Sequence, residues 1–276
     1  MSYNDIPDEL KDKMEYSYVA FLDILGFKNM IFDDINKVFL ALNRIKEFSS
    51  SYCSVTNSMA DMSVDVLPKA TMFSDSVVIS MPESDCYLEQ FVEIISRLQY
   101  ELLKEGILLR GGIELGYIYH DNFFVFGEAL VKAYLLECET AKFPRVMISD
   151  DAIKISQDFK NDEFTNTLDF CMEYDDDCDE AYPDVMYDFA IRIEDVAQKD
   201  NEGKYFVDYL FNGIYKDMES GGKEHVLKIR NFIENGTSID SDKIRSKYIW
   251  LEEYYNQSIK RHEIAFKRQL SNTSFD

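Results

Sequence analysis

Spacings that hold metals or disulfides are missing from this chain. Its five cysteines, Cys53, Cys86, Cys138, Cys171 and Cys178, include no C-x-x-C pair and are odd in number. That removes a zinc ribbon and a disulfide framework, and leaves reduced, structural thiols as the expectation. The three histidines, His120, His225 and His262, are scattered, with no H-x-x-x-H or H-E-x-x-H spacing, so zinc chemistry has little support. No apolar run is long enough to cross a bilayer, and Met1–Asp12 is polar and acidic, unlike a signal peptide. A cytoplasmic protein with no membrane contact is expected. Positive charge is also scarce: 29 Lys and Arg face 52 Asp and Glu, a formal charge of -23. Such a field repels nucleic-acid backbones and anionic lipid, so nucleic acid is not an expected partner.

What is present is a chain able to bury a core. It has 276 residues, 46% of them hydrophobic, which excludes general disorder. Tyr18 to Asp23 reads as a buried strand, and Gly26 permits a sharp turn out of it. Phe27 to about Phe48 carries helix-spaced Ile31, Ile35, Val38, Phe39, Leu42 and Ile45, and the polar stretch Ser49 to Ser63 reads as a loop. Strands are expected at Val66 to Phe73 and Val77 to Met81, with Ser74-Asp75-Ser76 as a hairpin tip. An amphipathic helix at Tyr87 to Lys104 and a strand at Ile107 to Tyr119 follow. Next come a short strand at Phe123 to Phe126, a helix at Glu128 to Glu137 and a strand at Arg145 to Ser149. The order β-α-β-β-α-β, with a further β-α-β, predicts an α+β, ferredoxin-like βαββαβ domain over residues 1–150. Residues 151–276 read as a C-terminal extension packed on it, partly helical, with helical patterns at Lys223 to Glu234 and Asp242 to about Leu270. Phe206 to Leu210 fits either a short strand or a helical turn.

The chemistry concentrates in two places. Phe21-Leu22-Asp23-Ile24-Leu25-Gly26-Phe27 and Phe73-Ser74-Asp75-Ser76 each set one carboxylate at the edge of an apolar strand. In the βαββαβ order the end of the first strand lies beside the central hairpin, so Asp23 and Asp75 are expected to converge. Two carboxylates can hold Mg²⁺ or Mn²⁺, hard cations that take oxygen ligands and bridge to phosphate oxygens. Taken singly, Asp23 could instead cap a helix and Asp75 fill a turn. A triphosphate would be repelled by the chain's overall charge, so a site for one must recruit cations and local Lys or Arg. The strand Leu109-Arg110-Gly111-Gly112-Ile113-Glu114-Leu115-Gly116 fits close approach of backbone or ligand, or simply a bulged, twisted strand.

The first motif, F-x-D-I-x-G-F, resembles the metal-binding signature of class III nucleotide cyclases. The R-x-G strand at Arg110 and the glycine-opened helix at Gly127 are similar to features of the same enzymes. Across residues 18 to about 150, and in the tail Lys247-Tyr-Ile-Trp-Leu-Glu-Glu-Tyr-Tyr-Asn256, the chain resembles the pyrimidine cyclases of bacterial Pycsar anti-phage systems. Gly127-Glu-Ala-Leu-Val-Lys-Ala-Tyr-Leu-Leu-Glu137 and Phe143-Pro-Arg145 carry that likeness. It implies a homodimeric enzyme that makes cyclic UMP or cyclic CMP from UTP or CTP with two Mg²⁺ or Mn²⁺ ions per site. It also implies a separate effector protein that senses the product. Metal would be held by Asp23, Asp75 and the Ile24 carbonyl. Thr71, Phe27, Arg145, Lys132 and Arg110 would serve the substrate.

The sequence departs from the purine cyclases in informative slots. Where those enzymes place an Asn and a transition-state Arg on the interface helix, this chain has Val131 and Leu135. Where they place an adenine-reading Lys, it has Thr71. A pyrimidine cyclase, with UTP ahead of CTP, is the leading expectation. A purine cyclase with unusual specificity and an inactive cyclase-fold binding protein are the alternatives. The acidic run Glu173 to Glu180 does not make an EF-hand, because Glu180 and Met186 stand where a glycine and a glutamate are needed. The last helix offers Ile244, Tyr248, Leu251, Tyr255 and Ile259 as a packing or dimer face. Its basic end, Lys260, Arg261, Lys267 and Arg268, is expected to complement the acidic body.

Overall fold

The structure is a computed structural model that describes residues 6–56, 68–85, 88–158 and 192–272. A short helix α1 (Asp8–Lys11) leads into strand β1 (Glu15–Ile24), followed by helices α2 (Phe27–Asp33) and α3 (Ile35–Thr56). The hairpin β2 (Lys69–Phe73) and β3 (Ser76–Pro82) comes next, then helix α4 (Leu88–Lys104) and strand β4 (Leu109–His120). Strand β5 (Val125–Gly127), helix α5 (Glu128–Thr140) and strand β6 (Val146–Ile148) follow, with helix α6 at 150–158. The later residues form α7 (Ile193–Val196), β7 (Ala197–Lys199), β8 (Tyr205–Val207), α8 (Tyr209–Glu219), α9 (Lys223–Thr237) and α10 (Asp242–Asn272).

The strands make one mixed sheet in the order β2-β3-β1-β4-β6-β8-β7, with β5 paired to β4. The first four of these are mutually antiparallel, and β6 joins β4 in parallel. Late residues complete the sheet, since Phe206 of β8 pairs with Met147 of β6. Phe206 to Leu210 thus serves both of its expected forms: a strand to Val207, then the start of a helix at Tyr209.

Alternation along a strand sends successive side chains to opposite faces. One face carries Tyr18, Ala20, Leu22 and Ile24 with Val77, Ile79, Met81, Ile113 and Leu115, all buried in the main core with α4 residues such as Phe91, Ile95 and Leu98. The other face carries Val19 and Val78, which pack with Ile118 and with Ala129 of α5. Asp23 is in phase with Val19, so it projects on this second face. That register takes both carboxylate-bearing turns out of the main core without exposing the apolar side of the sheet.

Two helices run three residues beyond their expected ends, to Thr140 and Thr237, and the first helical segment departs further from the sequence reading. The helix expected from Phe27 to Phe48 is broken at Asp34, whose φ of -153° is non-helical, and it resumes to end at Thr56. Within α3, Val38 and Ile45 are buried, whereas Ile35 and Phe39 are exposed. Part of the expected loop at 49–63 is therefore helix, and the rest lies outside the described residues, as does the acidic run 173–180.

The tail packs over part of its expected face. Leu251 and Tyr255 are buried, Trp250 stacks on Phe143 at 5.4 Å, and the Tyr254 hydroxyl donates to Asp208 at 2.7 Å. Ile244 stays exposed. Arg261 pairs with the buried carboxylate of Asp208, so at least one residue of the basic cluster neutralises the acidic body.

Candidate active site

The sequence around Asp23 forces a turn. Gly26 has φ 78°, a left-handed conformation that opens α2 and suits glycine. Across the sheet, β2 and β3 are joined by only Ser74 and Asp75, and Ser74 takes φ 56°, which L-residues seldom adopt. These two turns meet. Asp23 lies opposite Ser76 in the β1–β3 register, and the Ile24 N–H donates to the Asp75 carbonyl at 2.8 Å. The backbones carrying the two carboxylates are hydrogen-bonded neighbours, although the chain runs through α2, α3 and β2 between them. Phe27 is buried behind them as the first residue of α2 and supports the turn from the core side.

The third member comes from β4. Arg110 lies directly opposite Asp23 in the β1–β4 register. Its Nε donates to Asp23 Oδ2 at 2.8 Å and stands 2.7 Å from Glu137 Oε1 on α5. Burial works against the guanidinium charge, but the hydrogen bond to Asp23 and the charges of Glu137 and Asp23 outweigh it, and the Arg110 pKa is raised. Lys247 of α10 belongs to the same electrostatic neighbourhood. Burial lowers its pKa, Arg110 and Lys243 lower it further, and Asp23 and Glu137 oppose them. The end of β1 thus gathers acids from a strand, a hairpin turn and a helix near two cationic side chains.

The glycines of β4 explain how α5 comes so near. A Cβ at Gly112 would stand 2.5 Å from the Ala133 carbonyl and 3.2 Å from the Glu137 amide. The bare backbone lets the helix rest on the strand and carries Glu137 to Arg110. Of the two readings left open by the sequence, close approach by backbone is the one observed.

The other expected substrate residues lie apart from this cluster. Lys132 pairs with Glu128 at 2.8 Å, one turn into α5. Gly127 at the start of that helix pairs with Ile118, far along β4 from Arg110. Arg145 is buried, with its guanidinium 2.9 Å from Asp200 and within cation–π range of Phe143, Phe206 and Trp250. Its charge is committed to holding the late strands and α10 against β6.

Thr71 sits on the same sheet face as Asp23, further along β2. Its Oγ1 is 2.8 Å from His120 Nε2, and His120 Nδ1 is 2.7 Å from Ser80 Oγ. His120 is buried, and burial, helped by Lys69, pushes its pKa down to about 4 despite Asp121 and Glu15. At neutral pH the imidazole is therefore uncharged and links two hydroxyls. The unfolded chain binds a proton near the ordinary value of about 6.5, whereas the folded chain refuses it until about 4. The contribution is whole above 6.5 and is lost as pH falls toward 4. Between pH 7.5 and 5.2, safely above the pI of ≈ 4.5, it amounts to about 2 kcal/mol. Urea unfolding at both pH values should show this loss in the wild type and not in His120→Gln; parallel losses in both proteins would contradict it.

Sequence reasoning passed over Glu137 and Lys247 as site residues, although each closed or opened a motif singled out for resemblance. Among the described residues, no group of three or more His, Cys, Asp or Glu is assembled to hold a metal. The donors present are the two carboxylates on adjacent turns and main-chain carbonyls, an all-oxygen set that fits Mg²⁺ or Mn²⁺ rather than a softer ion. One further buried acceptor, Glu137 Oε1, has no hydrogen-bond donor. Among the described residues no helix is long and apolar enough to cross a membrane.

No protein-family model matches the sequence, and no curated protein matches it. Among solved structures, the chain is similar to a bacterial light-regulated adenylyl cyclase, with 15% sequence identity and a TM-score of 0.33. The match covers 54% of this chain and 51% of that one, so the chain spans about half the length of that neighbour.

Proposed function

We propose that this chain is a class III-type nucleotide cyclase that converts UTP into 3′,5′-cyclic UMP and pyrophosphate. The observation that carries the reading is the meeting of Asp23 and Asp75 on hydrogen-bonded turns. The antiparallel order β2-β3-β1-β4, that of a ferredoxin-like βαββαβ unit, supports it. In the reaction the 3′-hydroxyl oxygen attacks the α-phosphorus of its own nucleotide, the bond from that phosphorus to the β-phosphate oxygen breaks, pyrophosphate leaves, and the hydroxyl proton passes to solvent water. Divalent cations held by Asp23, Asp75 and the Ile24 carbonyl would favour the ionised hydroxyl and offset charge on the departing pyrophosphate. Arg110 and Lys247 supply the fixed positive charge that an acidic protein needs to retain a triphosphate. Thr71, with its hydroxyl tied to His120, offers a neutral hydrogen-bonding group for a base.

The pairing of two copies is part of the same proposal. Phe124, Phe126, Val131 and Leu135 are all exposed along β5 and α5, an apolar stripe suited to a second chain. The downstream effector that would sense the product, in anti-phage defence, rests on the sequence resemblance.

The decisive experiment incubates the purified protein with each of the four ribonucleoside triphosphates and Mn²⁺ and identifies products by mass. Cyclic UMP from UTP is the expected result. Cyclic CMP alone would move the base assignment, and cyclic AMP or GMP would make it a purine cyclase. No cyclic product from any of them would leave a cyclase-fold binding protein, the outcome that Val131 and Leu135 favour.

A further inference from the structure

Arg110 Nε carries one hydrogen and faces two acids. That hydrogen is given to Asp23 Oδ2, at 2.8 Å. Glu137 Oε1 lies closer, at 2.7 Å from the same nitrogen, yet it receives no hydrogen bond. Glu137 is 2% exposed, and its other oxygen accepts only from the Cys138 thiol at 3.2 Å. A buried carboxylate oxygen without a donor is costly, and native proteins retain one where another state of the molecule uses it. The bare backbone of Gly112 lets α5 rest directly on β4, and that close approach sets Glu137 against Arg110. The acid is therefore held at ion-pair distance from a guanidinium whose Nε–H is given to Asp23.

We infer that Glu137 is a positioning residue that takes the Arg110 Nε–H when Asp23 turns its oxygens to a divalent cation. This rests on the metal-holding role proposed for Asp23. In the cation-free protein Arg110 neutralises Asp23. In the loaded protein it leans on Glu137, stays in the site and leaves Asp23 free to ligate. The change needs only a reorientation of one N–H between two oxygens that are already within reach.

The test is Mn²⁺ binding to the full chain by titration calorimetry, with the folded state of each variant checked by thermal melting. Glu137→Gln should weaken Mn²⁺ binding about tenfold, as loss of a ligand's supporting partner does, because Arg110 then stays on Asp23. Arg110→Met should tighten it. In the Arg110→Met background, Glu137→Gln should change affinity by less than about twofold, since no N–H remains to relocate. The same weakening with and without Arg110 would reduce Glu137 to a diffuse negative charge and overturn the inference, as would unchanged affinity in Glu137→Gln. Should Glu137→Gln fail to fold, the wild-type Arg110 Nε–H resonance decides. It should move on Mg²⁺ addition in the wild type and stay still in Asp23→Asn; a resonance that ignores Mg²⁺ in the wild type would overturn the inference. A wild type that binds no Mn²⁺ at all would take the metal site, and with it the proposed function, down as well.

Discussion

Asp23→Asn and Asp75→Asn should each lower the rate of cyclic nucleotide formation by about 10³-fold or more, while the protein melts close to the wild-type temperature. Asparagine keeps the shape of aspartate and removes the charge that holds a hard cation. The loss of several kcal/mol of metal-derived stabilisation corresponds to about that factor. The fold should survive because the contacts at both positions are kept or replaced. Asp75 joins β1 through its main-chain carbonyl, which the substitution leaves in place, and Arg110 keeps Glu137 as a charged neighbour when Asp23 is neutralised. The double variant should be little worse than either single one, since both acids serve one cation cluster and their effects do not add. Single-turnover assays by mass spectrometry provide the measurement, and product formed at wild-type rate by either variant would end the two-metal reading.

The second large effect is structural. Gly112→Val should destabilise the chain by more than about 3 kcal/mol, read as a lower urea midpoint. The new side chain would begin 2.5 Å from the Ala133 carbonyl, with Leu136 Cβ at 3.0 Å behind it, so helix α5 must rise off the sheet. Gly116→Ala is the matched control. Its Cβ would meet Ala129 Cβ at 3.4 Å, an ordinary contact, and the cost should stay below about 1 kcal/mol. Equal destabilisation by the two would show that helix contact is not what requires glycine at 112. If Gly112→Val folds at low temperature, Glu137 will have been drawn from Arg110, and its Mn²⁺ affinity should resemble that of Glu137→Gln.

Much of the first half was legible because its signals are local. Short apolar runs mark β1, β3 and β4, helical spacing marks α4, and a polar turn between apolar runs marks the hairpin at Asp75. The meeting of Asp23 with Asp75 then follows from element order alone. The substrate-side cations were harder, because a cation's partner is set by tertiary contact. Arg145 follows a proline next to a glycine-bearing strand and looks free in one dimension. In three dimensions Asp200 and Trp250, both from far along the chain, enclose it. Lys132 and Glu137 share one helix, yet only Glu137 lies over the start of β4, and that depends on where Gly112 lets the helix settle. The break at Asp34 was hidden because apolar residues keep helical spacing on both sides of it.

The joining of Phe206 to Met147 also bears on how the molecule is made. A nascent chain that has emerged only as far as β6 would show a bare strand rim, the kind of surface on which β-rich polypeptides stick to one another. Synthesis must reach β8 before β6 gains its outer neighbour, so the half that carries the acids is completed by residues made after it.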